Sequence, residues 1–201
     1  MQVFLVGLMG AGKTTVGKLL AARLGADWLD SDKVLEQRCG VSVREMFELE
    51  GEAAFRDREA KVLDELTQRP NLVLSTGGGI VLRESNRLAL HSRGVVVYLN
   101  ADPYELWLRT RHDKSRPILQ GNDPQQKLRD LHAVRHPLYQ SIAHLSVATG
   151  RPSVRDVVDR VMQGLLQLQT DQPGTLNAAI SVAAPDLAPA LEPVHTPALS
   201  A

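Results

Sequence analysis

The chain has 201 residues, 43% hydrophobic and 23% charged, with 23 basic and 23 acidic side chains. That is one ordinary globular domain with a short appendage, and its balanced charge excludes broad electrostatic binding to nucleic acid or to an anionic membrane. A single cysteine, Cys39, excludes an internal disulfide and a Cys-rich metal site and points to a reducing cytoplasm, and no apolar run approaches the roughly 18 residues that span a membrane.

Residues 3–6, Val-Phe-Leu-Val, form a short apolar run that ends at Gly7, the pattern of a buried strand. No basic region precedes it and a Gly-rich loop follows, so it is not a secretion signal. Val16, Leu19, Leu20 and Leu24 recur at helical spacing, and Gly25 ends that helix. Trp28 and Leu29 make a short strand closed by Asp30-Ser31-Asp32. The pattern then predicts helices over 33–39, 42–49 and 51–67. Residues 72–74 read as a second buried strand, closed by Thr76-Gly77-Gly78-Gly79, and residues 95–99 as another. Asp102-Pro103 opens a helix with proline at its first position. A polar stretch over 110–124 interrupts the pattern. A helix over 125–141, a weak strand near 144–148 and an amphipathic helix from Val154 to Leu166 complete the body. From Thr170 to Ala201 there are 5 prolines, 8 alanines, no aromatic residue and no Lys or Arg, which reads as a disordered tail after a domain of residues 1–169.

Alternating strands and helices with continuous apolar strands imply an α/β fold. Its five-stranded parallel sheet is flanked by helices on both faces. Ligands of such sheets bind beyond the carboxyl ends of the strands, where each motif of this sequence falls.

Gly7-Leu8-Met9-Gly10-Ala11-Gly12-Lys13-Thr14 fits GxxxxGK[ST] between a strand and a helix, the setting that a phosphate loop requires. Its backbone N–H groups and the helix N-terminus favour phosphate, Lys13 reaches the β- and γ-phosphates, and the Thr14 hydroxyl can ligate Mg²⁺. The loop marks a nucleotide site and leaves the reaction open. Asp30 and Asp32, two apart on an extended segment, face the same way. They can hold Mg²⁺ or accept a proton from a hydroxyl, or one of them can cap the following helix. Gly77, Gly78 and Gly79 allow close backbone approach to a ligand, or form a plain turn. Arg56 and Glu59 share one face of the helix over 51–67, either as an exposed ion pair or as part of a site. Arg116 in the polar stretch and Arg135 after it matter if a planar carboxylate or phosphate is bound, because the guanidinium fork binds bidentately. His132 and His136 lack a third ligand and read as ordinary helix residues. Cys39 reads as a packing or surface residue.

Taken together these pieces resemble the shikimate kinase family, in the nucleoside-monophosphate-kinase-like branch of P-loop proteins. The segments are GLMGAGKTTVGKLLA (7–21), LDSD (29–32), FRDRE (55–59), STGGGIV (75–81), RTRHDKSRPIL (109–119) and RHPLY (135–139). The resemblance implies the P-loop kinase fold and transfer of a phosphoryl group from ATP to the 3-hydroxyl of shikimate. That is a step of chorismate and aromatic amino-acid biosynthesis. It implies that Gly10, Ala11, Gly12, Lys13, Thr14 and Thr15 wrap the ATP phosphates, with Lys13 catalytic. Thr14, and Asp30 through water, would hold one Mg²⁺. Asp32 would bind the attacking hydroxyl and act as its base. Arg56, Arg135 and the Gly78 amide would clamp the carboxylate, and Gly79 would approach a ring hydroxyl. Arg116 would reach the phosphates from a lid over 110–124, and Arg109 and Arg151 would flank adenine. A monomer is implied, with ATP and shikimate as its only partners. Three features depart from the family pattern: RPIL stands for RPLL, His112 replaces a residue that is often arginine, and the tail has no counterpart. The alternatives are a gluconate-type small-molecule kinase and a non-catalytic nucleotide-binding regulator.

Overall fold

The structure is a computed structural model that describes residues 1–111 and 123–171. In chain order the elements are β1 (Val3–Val6), α1 (Lys13–Leu24), β2 (Asp27–Asp30), α2 (Ser31–Cys39), α3 (Val43–Leu66), β3 (Leu72–Ser75), a 3-10 turn (Ile80–Leu82), α4 (Glu84–Arg93), β4 (Val95–Asn100), α5 (Pro103–Thr110), α6 (Pro124–Ile142), β5 (Leu145–Ala148) and α7 (Val154–Asp171).

The five strands form one parallel sheet in the order β2-β3-β1-β4-β5. Residues Val3, Phe4, Leu5 and Val6 of β1, Leu72, Val73 and Leu74 of β3, and Val96, Val97 and Leu99 of β4 are fully buried or nearly so. Apolar side chains on both faces of these strands require cover on both faces. The chain moves one way from β1 to β2 and the other way from β2 to β3, β3 to β4 and β4 to β5. Right-handed connections therefore place α1 on one face and α3, α4 and α6 on the other. Accordingly α7 returns to pack against α1 and β5, and α4 packs against α3 and α6. β2 and β5 form the two edges, four residues each.

The neighbours β1 and β3 send their connections in opposite directions. A crevice opens between two such strands at their carboxyl ends. The loop after β1 is the phosphate loop and the loop after β3 is the glycine run. The topology thus sets the two motifs face to face.

Helix boundaries follow local chemistry. Ser42 and Glu45 close a capping box at the start of α3, Asp102 caps α5 ahead of Pro103, and Asp123 caps α6. Gly25 and Gly40 end α1 and α2 in the left-handed conformation. The two helices expected over 42–49 and 51–67 are one element with a non-helical Gly51 between them. Arg58 spans that break with two 2.8 Å hydrogen bonds to Glu50.

Two expectations are corrected. Asp30 and Asp32 do not share an extended segment, because α2 begins at Ser31 and Asp32 lies in its first turn. Helix α4, with the 3-10 turn before it, lies where no helix was expected. It has little apolar signal, since its buried residues are Leu90 and the polar Asn86, whose side chain donates to the Ile80 carbonyl at 3.0 Å. The final helix runs on to Asp171. Residues 172–201, most of the expected lid, His112 and Arg116 lie outside the described residues.

No helix among the described residues is long and apolar enough to cross a membrane.

Candidate active site

The phosphate loop delivers α1 into the crevice with its first turn unused. Gly12, at the N-cap with φ 95°, offers no capping side chain, and the first turn carries no acid. The donors that other helices spend on a cap are thus left for an anion. Ser75, the last residue of β3, secures this turn. Its Oγ donates to the Lys13 carbonyl at 2.9 Å and accepts the Trp28 indole N–H at 3.1 Å. Lys13 Nζ folds over its own loop and donates to the Gly7 and Leu8 carbonyls at 2.8 and 2.9 Å.

Asp30 combines two roles that the sequence left as alternatives. Its Oδ1 caps α2 by accepting the Asp32 N–H at 3.2 Å, and its Oδ2 accepts the Thr14 hydroxyl at 3.0 Å. Two hard oxygen donors at the mouth of a phosphate loop suit a small divalent cation. No group of three or more His, Cys, Asp or Glu among the described residues could hold a metal. A cation here would therefore take most of its ligands from phosphate and water, as Mg²⁺ commonly does.

Asp32 faces inward from the start of α2. Burial, reinforced by the carboxylates of Asp30 and Glu59, pushes its carboxyl up to about 7 against the opposing pull of Lys13. The glycine run packs directly on it. A Cβ at Gly77 would lie 2.6 Å from Asp32 Oδ1 and 3.0 Å from Glu59 Oε1. At Gly79 a Cβ would stand 2.5 Å from the Arg56 Cζ. A side chain at Gly77 or Gly79 would have to displace these charged groups, so glycine there allows the close approach.

Arg56 and Glu59 are not an exposed surface pair. The side chains are 12% and 2% exposed, with Nη1 bonded to Glu59 Oε2 at 2.8 Å. The Arg56 guanidinium also meets Glu52 at 3.2 Å and lies over the rings of Phe47 and Phe55. Burial raises the Glu59 pKa, opposed chiefly by Arg56. Arg135, on α6, is buried; its charge acts on the Glu59 carboxylate and its guanidinium meets the Tyr139 hydroxyl. Its guanidinium lies 3.7 Å from the position a Gly78 Cβ would take.

Arg109 ties the phosphate loop to the loop after β5, donating to the Gly10 carbonyl at 3.1 Å and to the Gly150 carbonyl at 2.6 Å. Arg151 is exposed on that second loop. The structure thus brings together Lys13, Thr14, Asp30, Asp32, Arg56, Gly78, Gly79 and Arg135, with Arg109 at the margin. Three participants were not singled out from sequence. Glu59 was noted only as a partner of Arg56. Ser31 donates no cap but receives the Gly77 N–H at 3.1 Å. Tyr139 bonds the Gly78 carbonyl from α6. Its signal was available one helical turn after Arg135, on the same face.

A family model described as shikimate kinase matches residues 9–166. The chain belongs to the shikimate kinase family. A shikimate kinase from Burkholderia pseudomallei is 57% identical over 164 residues, 82% of this chain and 89% of its own. The solved shikimate kinase from Acinetobacter baumannii in complex with shikimate is 48% identical, with a TM-score of 0.81 over 83% of this chain and 93% of that one. A gluconokinase from Sinorhizobium meliloti aligns at 17% identity and TM-score 0.52, over 86% of this chain and 95% of its own, a likeness of fold alone. Shikimate kinases thus match this chain in sequence and fold together, which the gluconate-type kinase does not.

Proposed function

We propose that the chain transfers the γ-phosphoryl group of ATP to the 3-hydroxyl of shikimate, giving shikimate 3-phosphate and ADP in chorismate and aromatic amino-acid biosynthesis. The observation that carries this reading is the meeting, in one crevice, of an uncapped phosphate loop, the Asp32 carboxyl with its pKa raised to about 7, the buried Arg135 and the half-buried Arg56 around a glycine run.

Phosphoryl transfer asks the protein for positioning and charge neutralisation more than for covalent chemistry. The backbone from Gly10 to Thr15 surrounds the phosphates. Lys13 exchanges its two loop carbonyls for the phosphoryl oxygens on which charge develops. Asp32 accepts the proton of the attacking hydroxyl as the new oxygen–phosphorus bond forms and the bond to the ADP oxygen breaks. A carboxyl that ionises near neutral pH suits a base that works there. Arg56, Arg135 and the Gly78 N–H hold the acceptor carboxylate, and the Gly79 N–H reaches a ring hydroxyl. Thr14 and Asp30, whose side chains are hydrogen-bonded to each other, would hold one Mg²⁺, the aspartate through water. When bound, such an ion neutralises phosphate charge. Arg109 and Arg151 flank adenine, and the family resemblance would give Arg116, outside the described residues, a contact with the phosphates. The working form is a cytoplasmic monomer with no nucleic-acid or membrane partner, in keeping with the balanced charge and single cysteine.

The test is a coupled ADP-release assay with Mg·ATP and shikimate, gluconate or no acceptor. Shikimate-dependent turnover is expected. Turnover with gluconate alone overturns the acceptor, and ATP binding without turnover on any acceptor supports the regulator reading instead.

A further inference from the structure

The glycine run has no side chains to anchor it, so hydrogen bonds set the orientation of its peptide planes. The Gly77 N–H meets Ser31 Oγ at 3.1 Å, and the Gly77 carbonyl accepts the Ile80 N–H at 3.2 Å. At the far end the Gly79 carbonyl accepts the Leu82 N–H at 3.0 Å. Between them the Gly78 carbonyl accepts the Tyr139 hydroxyl at 2.5 Å. The N–H groups of Gly78 and Gly79 bond to no described residue.

In a trans peptide the carbonyl of one residue and the N–H of the next point in opposite directions on one rigid plane. Whatever holds the Gly78 oxygen therefore aims the Gly79 N–H. We propose that Tyr139 is a positioning residue for the acceptor: its hydroxyl pins the Gly78 carbonyl and so keeps the Gly79 N–H turned towards the bound substrate. The proposal rests on the shikimate reading above.

The surroundings suit that task. Tyr139 is fully buried, and its ring stacks on Tyr98 at 5.0 Å and 24°. The Tyr98 hydroxyl is itself held by Asn100 at 3.0 Å and His136 at 2.9 Å. The phenol therefore has little freedom to leave the glycine carbonyl. Burial raises the Tyr139 pKa, so the hydroxyl stays a donor throughout the working range. Arg135 lies one turn earlier on the same helix face, so α6 presents the carboxylate-binding arginine and the strut of the glycine run together.

The experiment compares Tyr139→Phe with Tyr98→Phe in the full chain. Each removes one hydroxyl from the same aromatic stack; the first frees the Gly78 carbonyl and also takes the phenol oxygen from Arg135, so in the Arg135→Ala background Tyr139→Phe must still raise the shikimate KM, and no further rise there overturns the proposal. Wild-type turnover of shikimate checks the underlying reading independently. Tyr139→Phe is expected to raise the shikimate KM about tenfold, with kcat within about twofold and the ATP KM unchanged. Tyr98→Phe is expected to keep the wild-type shikimate KM. The shikimate-induced rise in melting temperature should shrink in Tyr139→Phe alone, a readout that needs no turnover. A wild-type shikimate KM in Tyr139→Phe overturns the proposal, as do equal rises in the KM of both substrates. An equal effect of Tyr98→Phe also overturns it, because that outcome reports packing and not the bond to Gly78.

Discussion

Asp32 carries a charge that the folded protein holds at a cost. Its carboxyl is raised from 3.8 to about 7, so between those values the folded state binds a proton that the unfolded state has released. Stability contributed by this group is full below about pH 4 and is lost as the pH climbs through 7. Activity runs the opposite way, since the base must be ionised. The acid limb of kcat/KM should rise to a plateau with a midpoint near 7. Asp32→Asn should abolish that limb together with most of kcat, yet melt several degrees higher than wild type at pH 8, which calorimetry reads directly. The arginines separate differently. Arg56→Ala and Arg135→Ala should each raise the shikimate KM about 10- to 100-fold and leave the ATP KM within about threefold, as expected for loss of a charge-assisted bond to one substrate. Steady-state kinetics with each substrate varied in turn checks this. Arg135→Lys should recover only part of the loss, because an ammonium lacks the fork.

At the scale of elements, the pairing of β4 with β5 begins on a histidine. The His144 N–H donates to the Val96 carbonyl at 2.9 Å, and His144 Nδ1 accepts the Val96 N–H at 3.0 Å. One side chain thus substitutes for a rung of the ladder, in the form with Nδ1 unprotonated. Its ring stacks on His91 at 4.5 Å, whose own Nδ1 donates to the Ile142 carbonyl at 3.1 Å. Burial, with His91 beside it, lowers the His144 pKa from 6.5. The unfolded chain therefore takes up the proton first, and stability falls as the pH drops below about 6.5. His144→Asn retains an acceptor for Val96 and cannot titrate, so its melting temperature should fall less between pH 7.5 and 5.5.

Elements were legible in sequence where one rule acted alone. Continuous apolar runs marked the strands, the caps Gly25 and Asp102 marked helix ends, and the separate patterns over 42–49 and 51–67 meet close to the backbone break at Gly51. α4 was not legible, because it buries an asparagine on its own carbonyl partner in place of an apolar stripe. The Asp30 and Asp32 side chains converge through a strand-to-helix corner that periodicity cannot locate. Tyr139 was not singled out beyond the RHPLY segment, because its partner is a backbone carbonyl 61 residues away in sequence.

At the scale of the whole molecule, the part that resembles its relatives stops short of the last residues. The family model ends at residue 166, and the 57% identical relative aligns over 164 residues. We infer that residues 172–201 take no part in catalysis. A chain ending at Asp171 should keep kcat and both KM values within about twofold of the full chain. A larger change in either KM would give the segment a role at the site.

The two edges of the sheet bear on how this protein behaves when concentrated. An exposed strand is a template on which a second copy can extend the sheet, and short or charged edges discourage that pairing. β2 has only four residues and an aspartate at each end, Asp27 and Asp30, so an identical strand brought alongside would set like charges against each other. β5 is equally short, and its neighbour β4 reaches it partly through a histidine side chain. The parallel sheet that assembles the crevice thus stops at boundaries ill suited to growth, which favours colloidal stability over edge-to-edge aggregation.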